Sequence, residues 1–465
     1  MYHKTVASIK GELDLAVNHS FTTDAWTNKS MTSFITTTVH YIHPTDFKLT
    51  SFVLDTVHVT ERHTSDNLVK FLEEMEQKWG LKDVVGVSDN ASNIQTAFSR
   101  HGIPHLGCFA HTINLAVSKG LDDKDNSTIK RLLGRARALV STFRHSYIKT
   151  EDLKRNEKLL DLQKLQLVTD VCTRWNSVFY MINRLLAVYP AVYAALYASQ
   201  DKHLLLGDDD RKNLEDLSAL LEPFEKVTTM VSAEKQPTAG LVLPYLENLV
   251  EVKLKESKED TSLIKKFKKT VRNDLKTRYN DPEQRRLLSL VTVLDPRVRT
   301  CDWMDSHTKD ILYEQLKESC MEVASASQET GEIDVSYSPA KRQRSTDDLD
   351  GLIKVCSQDV NASRSQEELT EIVEKEIIAY KMEHSFGLGY KEPLQWWKLN
   401  CNKYPTITKV MMKYLHIPAS SVASERVFST AGRVHRGREH LTAENANIMI
   451  FLYHNYAKGK VAKLE

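Results

Sequence analysis

The first hundred residues change hydrophobic period twice, and this change limits the folds open to the chain. Residues 21–27, 33–42 and 49–59 are runs rich in Thr, Val, Ile and Phe. Such residues suit a pleated, half-buried surface, and three runs in succession predict an antiparallel meander. From 64 to 79 the period lengthens: Leu68, Phe71, Leu72 and Met75 recur at helical spacing, with Thr64 or Ser65 as N-cap and Gly80 as terminator. Residues 83–88 form a short apolar run of the kind found in buried parallel strands, and 91–98 read as a helix after it. The order is βββαβα, in which the first and fourth strands lie side by side at the centre of a mixed sheet.

Beyond the sheet the pattern becomes helical. Residues 105–109 suit one more short strand and 112–118 a helix, 127–166 look helical with charged faces, and 190–320 show helical periodicity without strand alternation, as in 214–231 and 262–279. Residues 324–368 are rich in Ser, Thr, Gln and Asp and read as a mobile linker. Helix resumes at 367–383, and the aromatic-rich stretch 394–456 suits helices near 404–415, 420–431 and 443–455. The expected class is therefore α/β plus all-α. Its divisions are a lead helix (1–16), the first part of the sheet domain (17–189), a helical insertion (190–323), the linker (324–368) and closing helices (369–465).

Composition excludes several classes of function. The 63 Lys and Arg against 62 Asp and Glu leave a net charge of +1, so no global field names a partner. Glycine is scarce, 16 of 465, and no GxxxxGK[ST] or GxGxxG stands behind a strand, so no nucleotide cofactor is expected. The longest apolar stretch, 185–198, contains Pro190 and falls short of the about 20 residues of a membrane span, so no membrane partner is expected. The N-terminus has no apolar signal core, and six scattered cysteines are usage of a reducing compartment.

Two acids stand out. Asp24 interrupts the strand FTTDAWT, and Asp89 ends the buried run VVGVS. On neighbouring strands they would offer hard oxygen ligands suited to Mg²⁺, and a third acid would complete a two-metal site. The alternative is that they cap turns or helices, Asp89 standing just before the helix at Ala91.

The chain resembles the catalytic and C-terminal portion of hAT-superfamily DNA transposases, in particular the transposase-derived proteins that carry BED zinc fingers. The matching stretches are FTTDAWT (21–27), VSDNASNI (87–94), CFAHTINLAV (108–117), TRWNS (173–177), IPASSVASERVFSTAG (417–432) and LTAENANIMIFLYHN (441–455). The resemblance implies an RNase H-like mixed sheet interrupted by a large helical insertion and followed by a C-terminal helical dimerisation segment. It also implies a D, D, E triad on Asp24, Asp89 and Glu425 holding Mg²⁺ or Mn²⁺, with His111 of the C-x-x-H motif beside it. No BED-type finger spacing occurs in the chain, and the resemblance implies that site-specific DNA recognition would come from such a module.

His101, His105, Cys108 and His111 crowd one segment, but their spacing matches no standard finger, so zinc is not expected; a core histidine is the alternative for His111. Arg174 could pair with phosphate and Trp175 stack on an unpaired base, against a buried structural Trp. Within 265–278, seven basic residues face one acid, and Lys265, Lys269, Arg272 and Lys276 share a helical stripe that could follow a DNA backbone or simply be solvated. Arg433 and Arg436 lie in a second basic run, and KRQR (341–344) suits a nuclear-localisation segment. The apolar group Ile448, Met449, Phe451, Leu452 and Tyr453, with Trp396, Trp397 and Tyr404, needs a surface to bury against, and the resemblance makes that surface a second copy. Two functions are compatible with these residues: a nuclear, self-associating DNA-binding protein of transposase descent used in transcription or chromatin regulation, and a working transposase.

Overall fold

The Thr- and Val-rich runs build one sheet whose middle residues are buried on both faces. The computed structural model describes residues 1–16, 18–27, 32–171, 174–199, 201–329, 366–384, 386, 390, 392–435, 441–457 and 459–460. Its strands are β1 (Ser20–Thr27), β2 (Ser33–Ile42), β3 (Leu49–Val59), β4 (Val85–Ser88) and β5 (His105–Gly107), in the order β3-β2-β1-β4-β5. The meander pairs antiparallel, whereas β4 joins β1 and β5 joins β4 in parallel. Period-two side chains then serve two layers. On one face, α1 (Tyr2–Asp14), α2 (Ser65–Trp79) and α3 (Ser92–His101) bury Ile9, Leu72, Trp79 and Phe98 against Phe21, Val39 and Phe52. Helix α2 starts where Thr64 accepts the Asn67 N–H and stops where Gly80 takes a left-handed φ of 69°, which only glycine adopts without strain.

The other face carries α4 (Phe109–Leu121), which opens a continuous helical core with α5 (Ser127–Arg144), α6 (Tyr147–Leu159), α7 (Trp175–Tyr197), α8 (Asp208–Val231), α9 (Val242–Glu247), α10 (Ser262–Arg278) and α11 (Pro282–Leu294). The helical block continues through α12 (Ser306–Glu329), α13 (Gln366–Lys381), α14 (Pro393–Asn400) and α15 (Pro405–Tyr414), and α16 (Val422–His435) and α17 (Ala443–Leu452) bring the chain back to the sheet.

Several boundaries differ from expectation. The single helical stretch 127–166 is two helices ending at Leu159. A division between 189 and 190 would cut α7, because Pro190 sits inside a helix whose Leu185, Val188 and Val192 all belong to one core. Helix α7 is also long and apolar enough, by length and composition, to cross a membrane, but Leu185, Val188 and Val192 are buried against protein. Of the linker 324–368, the first residues continue α12 and the last open α13; 330–365, with KRQR, lie outside the described residues.

Where α15 returns to the sheet, three histidines are sealed in. His416 meets the Ser20 hydroxyl through Nδ1 at 3.0 Å, His40 Nε2 lies 3.0 Å from Thr38 Oγ1, and His19 Nε2 lies 3.1 Å from the Leu13 carbonyl. Burial, and for His416 also the neighbouring His19 and His40, depresses His40 and His416 to about 3. The unfolded chain binds these protons near pH 6.5 and the folded chain does not, so their contribution is whole above about pH 6.5 and is lost as pH falls toward 3. Urea midpoints measured from pH 7 to pH 4 should fall steeply in the wild type and with a shallower slope in His416→Asn; equal slopes would show that these histidines do not govern acid lability.

Candidate functional site

Strand register places the first two acids. Thr22 pairs with Val87 across the parallel β1–β4 ladder, and Asp24 and Asp89 each follow two residues further on, Asp24 within β1 and Asp89 directly past the end of β4. Asp89 also does what the alternative reading asked, since its Oδ1 accepts the Ala91 N–H at 3.3 Å ahead of α3.

The third acid arrives on α16, with Glu425 in its first turn. Local contacts explain its position. The Phe109 N–H donates to the Ala419 carbonyl at 2.8 Å, and the Ser421 N–H reaches Cys108 Sγ at 3.4 Å, so the segment before α16 is tied to the start of α4. From the helical block, Thr238 Oγ1 accepts the Ala419 N–H at 2.9 Å, Val231 O accepts the Ser420 hydroxyl at 3.1 Å, and Arg426 pairs with Glu234 at 2.5 Å. Ser424, fully buried, lies 2.6 Å from Thr22 Oγ1 and donates to the Thr22 carbonyl at 3.1 Å.

Electrostatics records the result. Asp24 is raised to about 8, first by burial and then by the charges of Glu425 and Asp89, with only the Ala25 N–H opposing. Asp24 therefore lies within reach of the charges of both Glu425 and Asp89. Among the described residues, no three His, Cys, Asp or Glu side chains converge into a ready metal cage. The donor chemistry nonetheless fits a hard divalent cation: three carboxylates, a carboxyl whose ionisation its surroundings oppose, and half-exposed side chains that can turn toward an ion.

The Cys-His segment disperses. His101 Nε2 is 2.7 Å from Glu76, and His105 Nε2 is 2.9 Å from the Ser88 hydroxyl while its ring stacks on Phe98. Cys108, its thiol pushed up to about 11 chiefly by burial, caps α4 by accepting the His111 N–H at 3.4 Å. His111 stands half-buried in the first turn of α4, the turn bound to the Ala419–Ser421 segment.

Of the basic residues, Arg174 is exposed, and Trp175 is 2% exposed and packs edge-on against Phe224, so the structural alternative describes its place. Both border a cavity of about 400 Å³ with Lys130, Arg137 and Asp170. The stripe on α10 is divided: Arg272 and Lys276 both pair with Glu251, at 2.5 and 2.8 Å, while Lys269 is exposed and Lys265 partly so. Arg433 is exposed with its guanidinium 5.9 Å from the Tyr453 ring, and Arg436 lies outside the described residues.

The apolar C-terminal group divides: Met449 and Tyr453 are 37% and 39% exposed, Ile448 and Leu452 are half-buried, and the remainder is buried. Phe451 is buried between Tyr2 and Trp79, Ile450 packs with Val53, and Trp396, Trp397 and Tyr404 are buried around Tyr380. The monomer itself covers them. The most exposed apolar side chains of this region are instead Ile378 (64%) and Met382 (77%), one turn apart at α13, and Leu399 (82%) on α14. Sequence reasoning also missed Ser424 and Thr22; the available signal was a hydroxyl beside each of two motif acids, one residue before Glu425 and two before Asp24.

Known proteins now bear on these features. The profile of the hAT family C-terminal dimerisation region matches residues 376–456, and that of the ZBED1 RNase-like helical domain matches residues 106–220. Human (Homo sapiens) zinc finger BED domain-containing protein 4 is 25% identical over 95% of this chain and 38% of its own length. The putative AC transposase of Zea mays is 24% identical over 93% of this chain and 56% of its own. Zinc finger BED domain-containing protein 6 of Mus musculus is 25% identical over 93% and 47%. The chain thus spans between 38% and 56% of the length of these relatives. It carries a hAT C-terminal dimerisation region and a ZBED-type RNase-like helical domain, and its relatives are BED zinc-finger proteins and hAT transposases.

Proposed function

We propose that this chain is the self-associating, DNA-binding part of a nuclear protein of hAT-transposase descent that acts in transcription or chromatin regulation. The observation that carries this reading is that Asp24, on β1 of a β3-β2-β1-β4-β5 sheet, feels the charges of Glu425 and Asp89, on a chain that also carries a dimerisation region. That strand order is the one expected of an RNase H-like fold built to handle nucleic-acid phosphates, and the relatives named as BED zinc-finger proteins and a transposase support the descent.

DNA contact falls to cations left available by local pairing. Arg174, beside Lys130, offers a phosphate site at the cavity, whereas Arg137 is already held by Asp170 and Arg272 by Glu251. Arg174→Ala should weaken binding to all DNA sequences alike and lower the salt slope by about 1, while Arg272→Ala should change it little. Fluorescence anisotropy across a salt series reads this directly, and equal effects of the two variants would remove Arg174 from the interface. Self-association is assigned to the α13–α14 face, so Met382→Glu should shift the protein toward monomer in sedimentation at micromolar concentration, with an unchanged monomer fold by circular dichroism.

The charges of Glu425 and Asp89 near Asp24 also favour a second reading, Mg²⁺-dependent DNA cleavage and strand transfer. Asp24, Asp89 and Glu425 would hold Mg²⁺ or Mn²⁺, and His111 would orient the phosphate. The bound cations supply charge stabilisation on the phosphoryl oxygens. Under this reading the wild type cleaves labelled DNA ends with Mg²⁺ and Asp24→Asn does not; a folded wild type without cleavage leaves the regulatory reading alone.

A further inference from the structure

We propose that Ser424 is the positioning residue for Glu425, fixing the first turn of α16 on β1 through a one-way hydrogen-bond chain that ends at His40. The inference rests on the reading that Asp24, Asp89 and Glu425 hold a divalent cation. Ser424 Oγ has a single proton, which it gives to the Thr22 carbonyl at 3.1 Å. Its 2.6 Å contact with Thr22 Oγ1 must then be a bond donated by Thr22. That leaves Thr22 Oγ1 to accept from Thr38 Oγ1 at 2.5 Å, and Thr38 Oγ1 to accept from His40 Nε2 at 3.0 Å. The direction is consistent along its whole length and requires His40 to carry its proton on Nε2. All four side chains are buried.

The geometry connects this chain to the acids. Thr22 and Asp24 are two residues apart on β1 and share a face, and Ser424 immediately precedes Glu425. A displacement of α16 along β1 would break both Ser424 bonds before it moved Glu425 by one residue's rise, about 1.5 Å. Apolar residues could fill the same seam, but hydrogen bonds allow one register where apolar contact tolerates several. Mg²⁺ demands near-ideal ligand placement, so register is what this helix must supply.

The test is Mn²⁺ affinity, measured by calorimetry on the full chain, with far-UV circular dichroism and urea midpoints alongside. Ser424→Ala should weaken Mn²⁺ binding about tenfold, Thr22→Val by a similar factor, and Ser424→Thr should restore it. Adding Ser424→Ala to Glu425→Gln should cause no further loss, because the serine acts through that carboxylate. A folded Ser424→Ala that binds Mn²⁺ like the wild type overturns the proposal and leaves the metal reading intact. An equal loss in the Glu425→Gln background overturns it too, since the serine would then act on the fold as a whole. A wild type that binds no Mn²⁺ refutes the metal reading, and the proposal with it.

Discussion

The docking of α16 against β1 is the constraint on which the approach of Glu425 to Asp24 depends. Ser424 and Thr22 are 402 residues apart in sequence, so no local preference brings them together. The chain must leave the sheet after α4, build the helical block and return at a defined point. The corner of that block between Val231 and Thr238 receives the returning segment, and the capped start of α4 receives it from the other side. Each hydrogen bond contributes only about 1 kcal/mol net. Their value is directional: together with the continuous core from α4 to α15, they permit one approach of Glu425 to the sheet.

Charge is arranged by the same logic of local pairing. A net charge of +1 conceals acids, two of them buried, that each collect two cations. Asp210 holds Arg131 and Arg135, Asp274 holds Lys119 and Arg278, and Glu251 holds Arg272 and Lys276. Two of the four basic residues of the α10 stripe, Arg272 and Lys276, are therefore committed to a surface ion pair. Asp24 differs from these acids: its strongest charged neighbours are other carboxylates.

The sheet was largely legible because strand signals are short-range. The Thr- and Val-rich runs, the Gly80 stop and the central pairing of β1 with β4 all follow from residues close in sequence. The placement of Asp24 and Asp89, each two residues past a paired position, needs only counting along the ladder. Glu425 was reachable through motif resemblance and not through spacing, because the intervening helices carry no information about where the chain returns. The C-terminal aromatic group misled for a related reason. An apolar segment announces that it will be covered but not by what, and here Tyr2, Trp79 and Val53 cover much of it from the opposite end of the chain. Trp175 is similar: an aromatic next to an arginine suits base stacking in sequence, yet the helix it opens faces inward.

The outer strand β3 has an exposed row of backbone groups, and the chain's last helices close it without adding a strand. Asn455 takes the Val53 N–H on its carbonyl at 3.0 Å and returns its amide to the Val53 carbonyl at 2.7 Å, and Asn447 accepts the Thr56 N–H at 2.8 Å. Side-chain amides thus imitate a neighbouring peptide plane. An uncovered edge of this kind would be a template for strands from other molecules. The tail that resembles a partner-seeking segment accordingly acts, in the monomer, as a barrier to indiscriminate sheet extension, so that association with a second copy is left to helices rather than to open β-edges.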